Sequence, residues 1–296
     1  MGVAEIKRTK KLLKVFIAFT LAAALVFIYS NHFLSVKNYT VKSPKLPNSF
    51  KGYKIALITD LHNASFGKDN NTLIKKLEEA APDLVLLGGD MVSTSDTDYS
   101  VFFSLAEKLA ESYDTYFIVG NHEQALGEER TELFYQSVES LGVKTLNNKM
   151  VTLEKNGEKI NLYGMWFNLR YYTDRSEDAT HTEQNYYFGT DAMEEILGKP
   201  NNENFNLLLT HNPLYFETYA KWGADLTLSG HTHGGMIRIP FKGGVYSPEK
   251  TFFPEYDGGL FEKQNKTLIV SRGLGNGTEG FRLFNPPELV FVVLER

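Results

Sequence analysis

Residues Leu228 to Gly235 read LSGHTHGG. The apolar run from Asp225 to Leu228 predicts a short buried strand that stops at Ser229 and Gly230. Two histidines, His231 and His233, follow in the loop. In an extended segment side chains alternate, so residues two apart face the same side. The spacing therefore predicts two imidazoles side by side at a strand end, half of a metal clamp. For this stretch alone a pair of surface histidines is the better explanation, so further ligands must come from elsewhere.

The same arrangement recurs upstream. Tyr53 to Thr59 reads as a buried strand and delivers Asp60-Leu61-His62. Leu84 to Leu87 delivers Gly88-Gly89-Asp90, and Tyr116 to Val119 delivers Gly120-Asn121-His122-Glu123. Phe205 to Leu209 delivers Thr210-His211-Asn212-Pro213. An amphipathic helix follows each of the first three runs. One presents Leu73, Ile74, Leu77 and Ala81 between a cap at Asn71 or Thr72 and a stop at Pro82. A second presents Phe102, Leu105, Ala106 and Leu109, and a third Leu133, Phe134, Val138 and Leu141, ended by Gly142. Strand–helix alternation of this kind predicts a parallel sheet, and such sheets bind ligands at the carboxyl ends of their strands.

The pattern then changes. Met150 to Leu153 and Ile160 to Tyr163 flank Asn156-Gly157, a type I′ hairpin signal. Residues 168–189 are polar, rich in tyrosine and aperiodic, and read as an insertion over the site or a plain surface loop. A short helix is expected from Thr190 to Leu197, and another with Pro213 in its first turn and Gly223 at its end. Thr267 to Val270 and Leu289 to Leu294 read as two more strands. The residues alone thus predict a mainly parallel α/β sheet with antiparallel strands entering late.

The chain has 296 residues, a formal charge of −5 and 42% hydrophobic residues, as expected of a globular body with a sizeable core. Interspersed charge of that sign argues against a nucleic-acid partner. The absence of cysteine excludes disulfides, thiolate metal sites and cysteine nucleophiles. At the N-terminus Lys7, Arg8, Lys10, Lys11 and Lys14 precede an apolar run that ends at Tyr29. Leu12 to Tyr29 would form roughly 27 Å of helix, about one bilayer core. Phe27, Ile28, Tyr29 and Ser30 stand where a signal peptidase needs small residues, which favours an uncleaved anchor over a signal peptide. The basic flank orients residues 1–11 to the cytoplasm, 12–30 across the membrane and the body outside it, although Lys37, Lys42 and Lys45 weaken the asymmetry. Residues 31–52 read as a tether with one edge strand near Tyr39 to Val41, and 53–296 as the folded domain.

Collected, the strand-end residues are Asp60, His62, Asp90, Asn121, His122, His211, His231 and His233. Five of the seven histidines fall in this set, whereas core histidines would scatter. Oxygen and imidazole donors without thiolate suit Mn, Fe, Zn or Ni. Seven ligands, counted as Asp60, His62, Asp90, Asn121 and three of the other four histidines, exceed the need of one ion and fit two ions sharing a carboxylate. Two metals roughly 3.5–4 Å apart serve hydrolysis of phosphate esters, lowering the pKa of a water and clamping phosphate oxygens. No GxSxG or Walker sequence offers a rival chemistry.

The ordered run DLH, GGD, GNHE, TH and GHTH resembles the calcineurin-like metallophosphoesterase superfamily, from Lys54 to Arg296. The closing RLFNPPEL, Arg282 to Leu289, is similar to its membrane-anchored bacterial branch, some members of which act on UDP-diacylglucosamine. The resemblance implies a four-layer αββα sandwich of two mixed sheets. It implies that Asp60, His62 and His233 hold one metal and Asn121, His211 and His231 the other, with Asp90 bridging. It further implies that His122 contacts the substrate phosphate and protonates the leaving group, with Glu123 behind the ligands. Arg272 is a candidate substrate contact, with a structural salt bridge as its alternative. The chain departs from many relatives at His62-Asn63-Ala64-Ser65-Phe66-Gly67, where glycine comes late; this puts only the shape of that rim in question. Two readings of function follow. One is a membrane-anchored dimetal phosphohydrolase acting on a phosphorylated small molecule or a lipid-linked or nucleotide-sugar substrate. The other is a catalytically silent binding scaffold, which would be expected to have lost ligands.

Overall fold

The computed structural model describes residues 3–166, 168–172, 188–277 and 280–296. Its central strands are short apolar runs buried on both faces, and each face has a cover. The first sheet takes, in spatial order, β1 (Ser35–Lys42), β14 (Glu288–Glu295), β2 (Lys54–Ile58), β3 (Leu84–Leu87), β4 (Thr115–Phe117) and β5 (Lys144–Thr145). Within it only β14 and β2 pair antiparallel. The second sheet takes β12 (Gly259–Lys263), β13 (Lys266–Val270), β9 (Leu226–Ser229), β8 (Phe205–Thr210), β7 (Glu158–Met165) and β6 (Lys149–Lys155). Its outer pairs β12–β13 and β6–β7 are antiparallel and its centre is parallel, while β10 (Arg238–Ile239) and β11 (Gly243–Gly244) pair apart from both sheets.

Period-two alternation assigns each side chain to a layer. Ile55, Leu57, Leu84 and Leu86 point between the sheets and meet Leu207, Leu209, Leu228 and Ile269. Ala56, Ile58, Val85 and Leu87 point the other way, onto α2 (Asn71–Ala80), α3 (Ser100–Ser112) and α5 (Glu128–Ser140). Behind the second sheet, Tyr163 and Leu208 pack on Met193 of α6 (Thr190–Leu197) and on Tyr219 and Trp222 of α7 (Phe216–Trp222). The result is the αββα sandwich of two mixed sheets. Each fully buried leucine or isoleucine contributes about 1.5–3 kcal/mol by leaving water, so the layer between the sheets is the main brace of the strand ends.

The hairpin between β6 and β7 turns at Asn156 and Gly157 with φ of 52° and 80°, both left-handed as a type I′ turn requires. Three expectations need correcting. Leu133 is 55% exposed, and α5 buries Thr131 and Tyr135 beside the expected Phe134 and Val138. Ala81 lies beyond the end of α2 as a left-handed cap with φ 47°. Residues 31–52 do more than tether: β1 pairs with β14 over eight residues, and Leu34, Val41, Leu46 and Phe50 are buried. Lys45 also reaches across to Asp225, 2.7 Å away. An edge strand reading SVKNYTVK is mostly exposed, so it carries little hydrophobic signal; its backbone hydrogen bonds hold it.

Helix α1 (Val3–His32) contains the segment Lys10–His32, within which an 18-residue window has a mean hydropathy of 2.3 and is not buried by the body. It is long and apolar enough to cross a membrane. Of the tyrosine-rich insertion, Leu169–Tyr172 forms a short helical turn, while 173–187, including His181, lies outside the described residues. The orientation of α5 is testable. Phe134→Ala is expected to cost about 3–5 kcal/mol and Leu133→Ala less than about 0.5 kcal/mol, read as denaturant midpoints of the detergent-solubilised chain. Equal losses at the two positions would contradict the packing.

Candidate metal centre

Strands β2, β3, β4, β8 and β9 each end in a tight turn, and the polar residues of those turns meet where the two sheets adjoin. Asp60, His62 and His233 bring ligand atoms within 4.8 Å of one another, as do Asp90, His211 and His231. A third group of the same kind, His62, Asp90 and His122, links them. His62 Nε2 lies 3.3 Å from His233 Nε2, and His233 Nε2 lies 3.6 Å from an Asp60 oxygen. His211 Nε2 lies 3.1 Å from Asp90 Oδ2 and 3.7 Å from Asp60 Oδ1. All seven predicted ligand positions except Asn121 are thus in one of these groups. Asn121 opens the short helix α4 (Asn121–Gln124), and its Oδ1 is buried without a hydrogen bond from any described residue. A buried amide oxygen left in that condition is costly unless something else occupies it.

The two histidines of the GHTH stretch correct the reading from which they were predicted. They are not on an extended segment: His231 has φ 74° and His233 φ 49°. Their rings part, one toward Asp90 and His211, the other toward Asp60 and His62. Asp60, His62 and Asp90 are also left-handed, with φ of 50°, 45° and 54°. Side chains other than glycine cost about 1–2 kcal/mol in this region. The neighbouring contacts enforce it. Glu123 is fully buried and accepts backbone N–H bonds from Asp90 (2.9 Å), Met91 (2.6 Å), Val92 (3.2 Å) and Gly120 (2.8 Å). It locks the turn after β3 to the turn after β4. A Cβ at Gly120 would stand 2.2 Å from Asp90 Oδ1, so only glycine permits this approach.

Electrostatics follow from crowding. Burial raises the Asp60 carboxyl above its ordinary range. Burial opposes ionisation of Asp90 too, but the His211 imidazole outweighs it and holds Asp90 well below. Burial would lower His211; Asp90 and Asp60 outweigh that and push it up to about 10. His62 falls to about 3 and His233 well below its ordinary value, chiefly through burial. Glu123 rises to about 7 through burial and the Asp90 charge. His211 and Asp90 support each other's charge, whereas Asp60, His62 and His233 are kept from theirs by burial, which suits groups gathered for a cation.

His122 stands beside this set. Its backbone N–H donates to Asp90 Oδ1 at 2.8 Å. The Thr94 backbone N–H donates to His122 Nδ1 at 3.1 Å, so the neutral ring carries its proton on Nε2. Arg272 lies apart: its Nε donates to the buried Glu288 carboxylate at 2.5 Å, the salt-bridge alternative. Three further residues join the site; the sequence marked Tyr172 only as part of the tyrosine-rich insertion, and gave no site role to Glu249 or Arg282. Glu249 is buried with a carboxylate oxygen against His231 Nε2, and His231 pulls its pKa down to about 2 in spite of burial. Arg282 is fully buried, donating to the Gly275 carbonyl at 3.1 Å through Nε and reaching His233 Nδ1 at 3.4 Å. Tyr172 packs edge-on to His231, with ring centroids 4.9 Å apart. All three sit in irregular segments where no periodicity marks them.

A family model described as calcineurin-like phosphoesterase matches residues 53–235. The chain is 26% identical over 269 residues to the uncharacterized metallophosphoesterase YkuE of Bacillus subtilis, covering 89% of this chain and 86% of that one. It is 27% identical over 249 residues to the phosphodiesterase YaeI of Escherichia coli, covering 82% of each. Among solved structures, phosphopantetheinyl hydrolase of Mycobacterium tuberculosis aligns with a TM-score of 0.46 at 15% identity, over 74% of this chain and 89% of that one. The two Asp/His clusters are compatible with two divalent ions. With more than half of its length matched by the family model, the chain belongs to the calcineurin-like phosphoesterase family of metal-dependent phosphoester hydrolases.

Proposed function

We propose that this protein is a membrane-anchored dimetal phosphohydrolase whose substrate carries its phosphate on a lipid or on another membrane-associated group. The observation that carries the reading is the convergence of two Asp/His clusters through Asp90 at the strand ends, with the Asn121 oxygen left without a donor among the described residues. In this reading Asp60, His62 and His233 hold one ion, Asn121, His211 and His231 the other, and Asp90 both. When bound, the ions supply charge to lower the pKa of an attacking water and to clamp phosphate oxygens.

The chain's own residues do the rest. Glu123 fixes the Asp90 and Asn121 turns relative to each other. His122 directs an Nε2 proton toward the departing oxygen, because Thr94 occupies Nδ1. Tyr172 covers the imidazoles on one side. The anchor is supported by the length and apolarity of Lys10–His32, and an outward-facing body by the basic residues that precede it.

Asp90→Asn is expected to abolish Mn-dependent hydrolysis of bis(p-nitrophenyl) phosphate; activity within tenfold of the parent would contradict the shared ligand. His122→Ala should keep its bound metal and lose about 10²–10⁴ in kcat on an alkyl phosphoester, with a smaller loss on p-nitrophenyl esters, whose leaving group needs no proton. Equal losses on both would remove His122 as the proton donor. The pH dependence has a defined sign. The His211 pKa is raised, so the stability its charged form gives the metal-free protein is complete below about 6.5 and lost as pH rises through about 10. Metal must displace that proton, so affinity should climb over the same window. Calorimetry at pH 7.5 in buffers of different ionisation heat should register proton release, and binding without it would contradict this ligand.

A further inference from the structure

Four large aromatic side chains surround the point where α1 meets the body. Tyr29 and Phe33 come from the end of the helix and stack with centroids 4.8 Å apart. Phe281 and Phe284 come from the loop docked against it, and all four rings are exposed. The loop is fastened there. Asn31 Nδ2 donates to the Arg282 carbonyl at 2.9 Å, and the Arg282 N–H donates back to Asn31 Oδ1 at 2.9 Å. The Phe284 N–H donates to Ser30 Oγ at 2.8 Å, and Ser30 is fully buried.

Phe284 has φ 53°, a left-handed backbone that costs a bulky residue about 1–2 kcal/mol. An aromatic ring held in that conformation and turned into water loses on both counts. The loss is recovered if the ring enters an apolar phase. The phase at hand is the one that Lys10–His32 is built to cross, since the collar begins on its final residues. Aromatic side chains concentrate at the level where a span leaves the hydrocarbon.

We propose that Tyr29, Phe33, Phe281 and Phe284 form a collar seated in the membrane–water interface, so that the loop 281–284 holds the body down on the bilayer surface. This rests on the anchor reading above. The collar also explains the position of a cavity of about 520 Å³ lined by Asn31, His32 and Gly280 at one side and His62 at another. An amphiphilic phosphoester with its tail in the bilayer would reach the candidate metal centre through that space. Arg282, between Phe281 and Phe284, touches His233, so membrane contact and a candidate ligand share one loop.

The chain has no cysteine, which permits single-site labelling of the full-length protein. Phe281→Cys and Phe284→Cys, labelled with nitrobenzoxadiazole in phosphatidylcholine–phosphatidylglycerol vesicles, should emit blue-shifted light. Doxyl-lipid should quench them several-fold more than aqueous iodide does. Glu262→Cys, exposed on edge strand β12 of the second sheet, should show the reverse, and Phe16→Cys, inside the span, should be quenched by lipid alone. If Phe16 is quenched by lipid while 281 and 284 behave like 262, the collar is wrong and the anchor stands. Labels at 281 and 284 shielded from both quenchers would mean a protein partner or a second copy covers them, and would overturn the proposal. A water-exposed label at Phe16 would overturn collar and anchor together.

Discussion

The structure depends on holding mutually unfavourable groups together at the ends of strands. Asp60, His62, Asp90, His231 and His233 each adopt left-handed backbone. Each is buried or nearly so, and His231 alone among them pairs with a carboxylate outside the ligand set, that of Glu249. At about 1–2 kcal/mol for each backbone, this strain has to be held by the rest of the fold. Two devices hold it. The apolar layer between the sheets fixes the directions of β2, β3, β8 and β9, so their carboxyl ends cannot drift. Glu123 then binds the turns after β3 and β4 into one unit with four backbone hydrogen bonds.

This division explains what the sequence made legible. Buried parallel strands read as continuous apolar runs, and each run ends in residues that can bind a cation, so Asp60, Asp90, His211 and His231 could be found without coordinates. The parting of His231 and His233 could not be derived from spacing, because it follows from positive φ at both, which an alternation argument assumes away. The double-sheet arrangement was likewise beyond the residues alone and came only through resemblance. Glu249, Tyr172 and Arg282 act through contacts between loops far apart in the chain, so the tyrosine-rich insertion and the RLFNPPEL run could be noticed while the partners of these side chains could not be read. Strand β1 was undervalued for the opposite reason: its backbone is paired along eight residues while most of its side chains face water.

The N-terminal helix and the site are joined through a short path. Ser30 and Asn31 grip the loop that carries Arg282, and Arg282 reaches both the Gly275 carbonyl and His233. The helix end is therefore part of the wall of the site. A truncation just after residue 31 would remove the Ser30 and Asn31 contacts along with the apolar segment, and the free body would lack one support of the loop beside His233.

The central claim is that separate turns seat two cations around one aspartate. Anomalous diffraction from crystals of the Mn-loaded protein tests it most directly. Two anomalous peaks roughly 3.5–4 Å apart with Asp90 between them are predicted, one beside Asp60, His62 and His233 and the other beside Asn121, His211 and His231. A single peak away from Asp90, or two peaks at unrelated surface positions, would contradict the account.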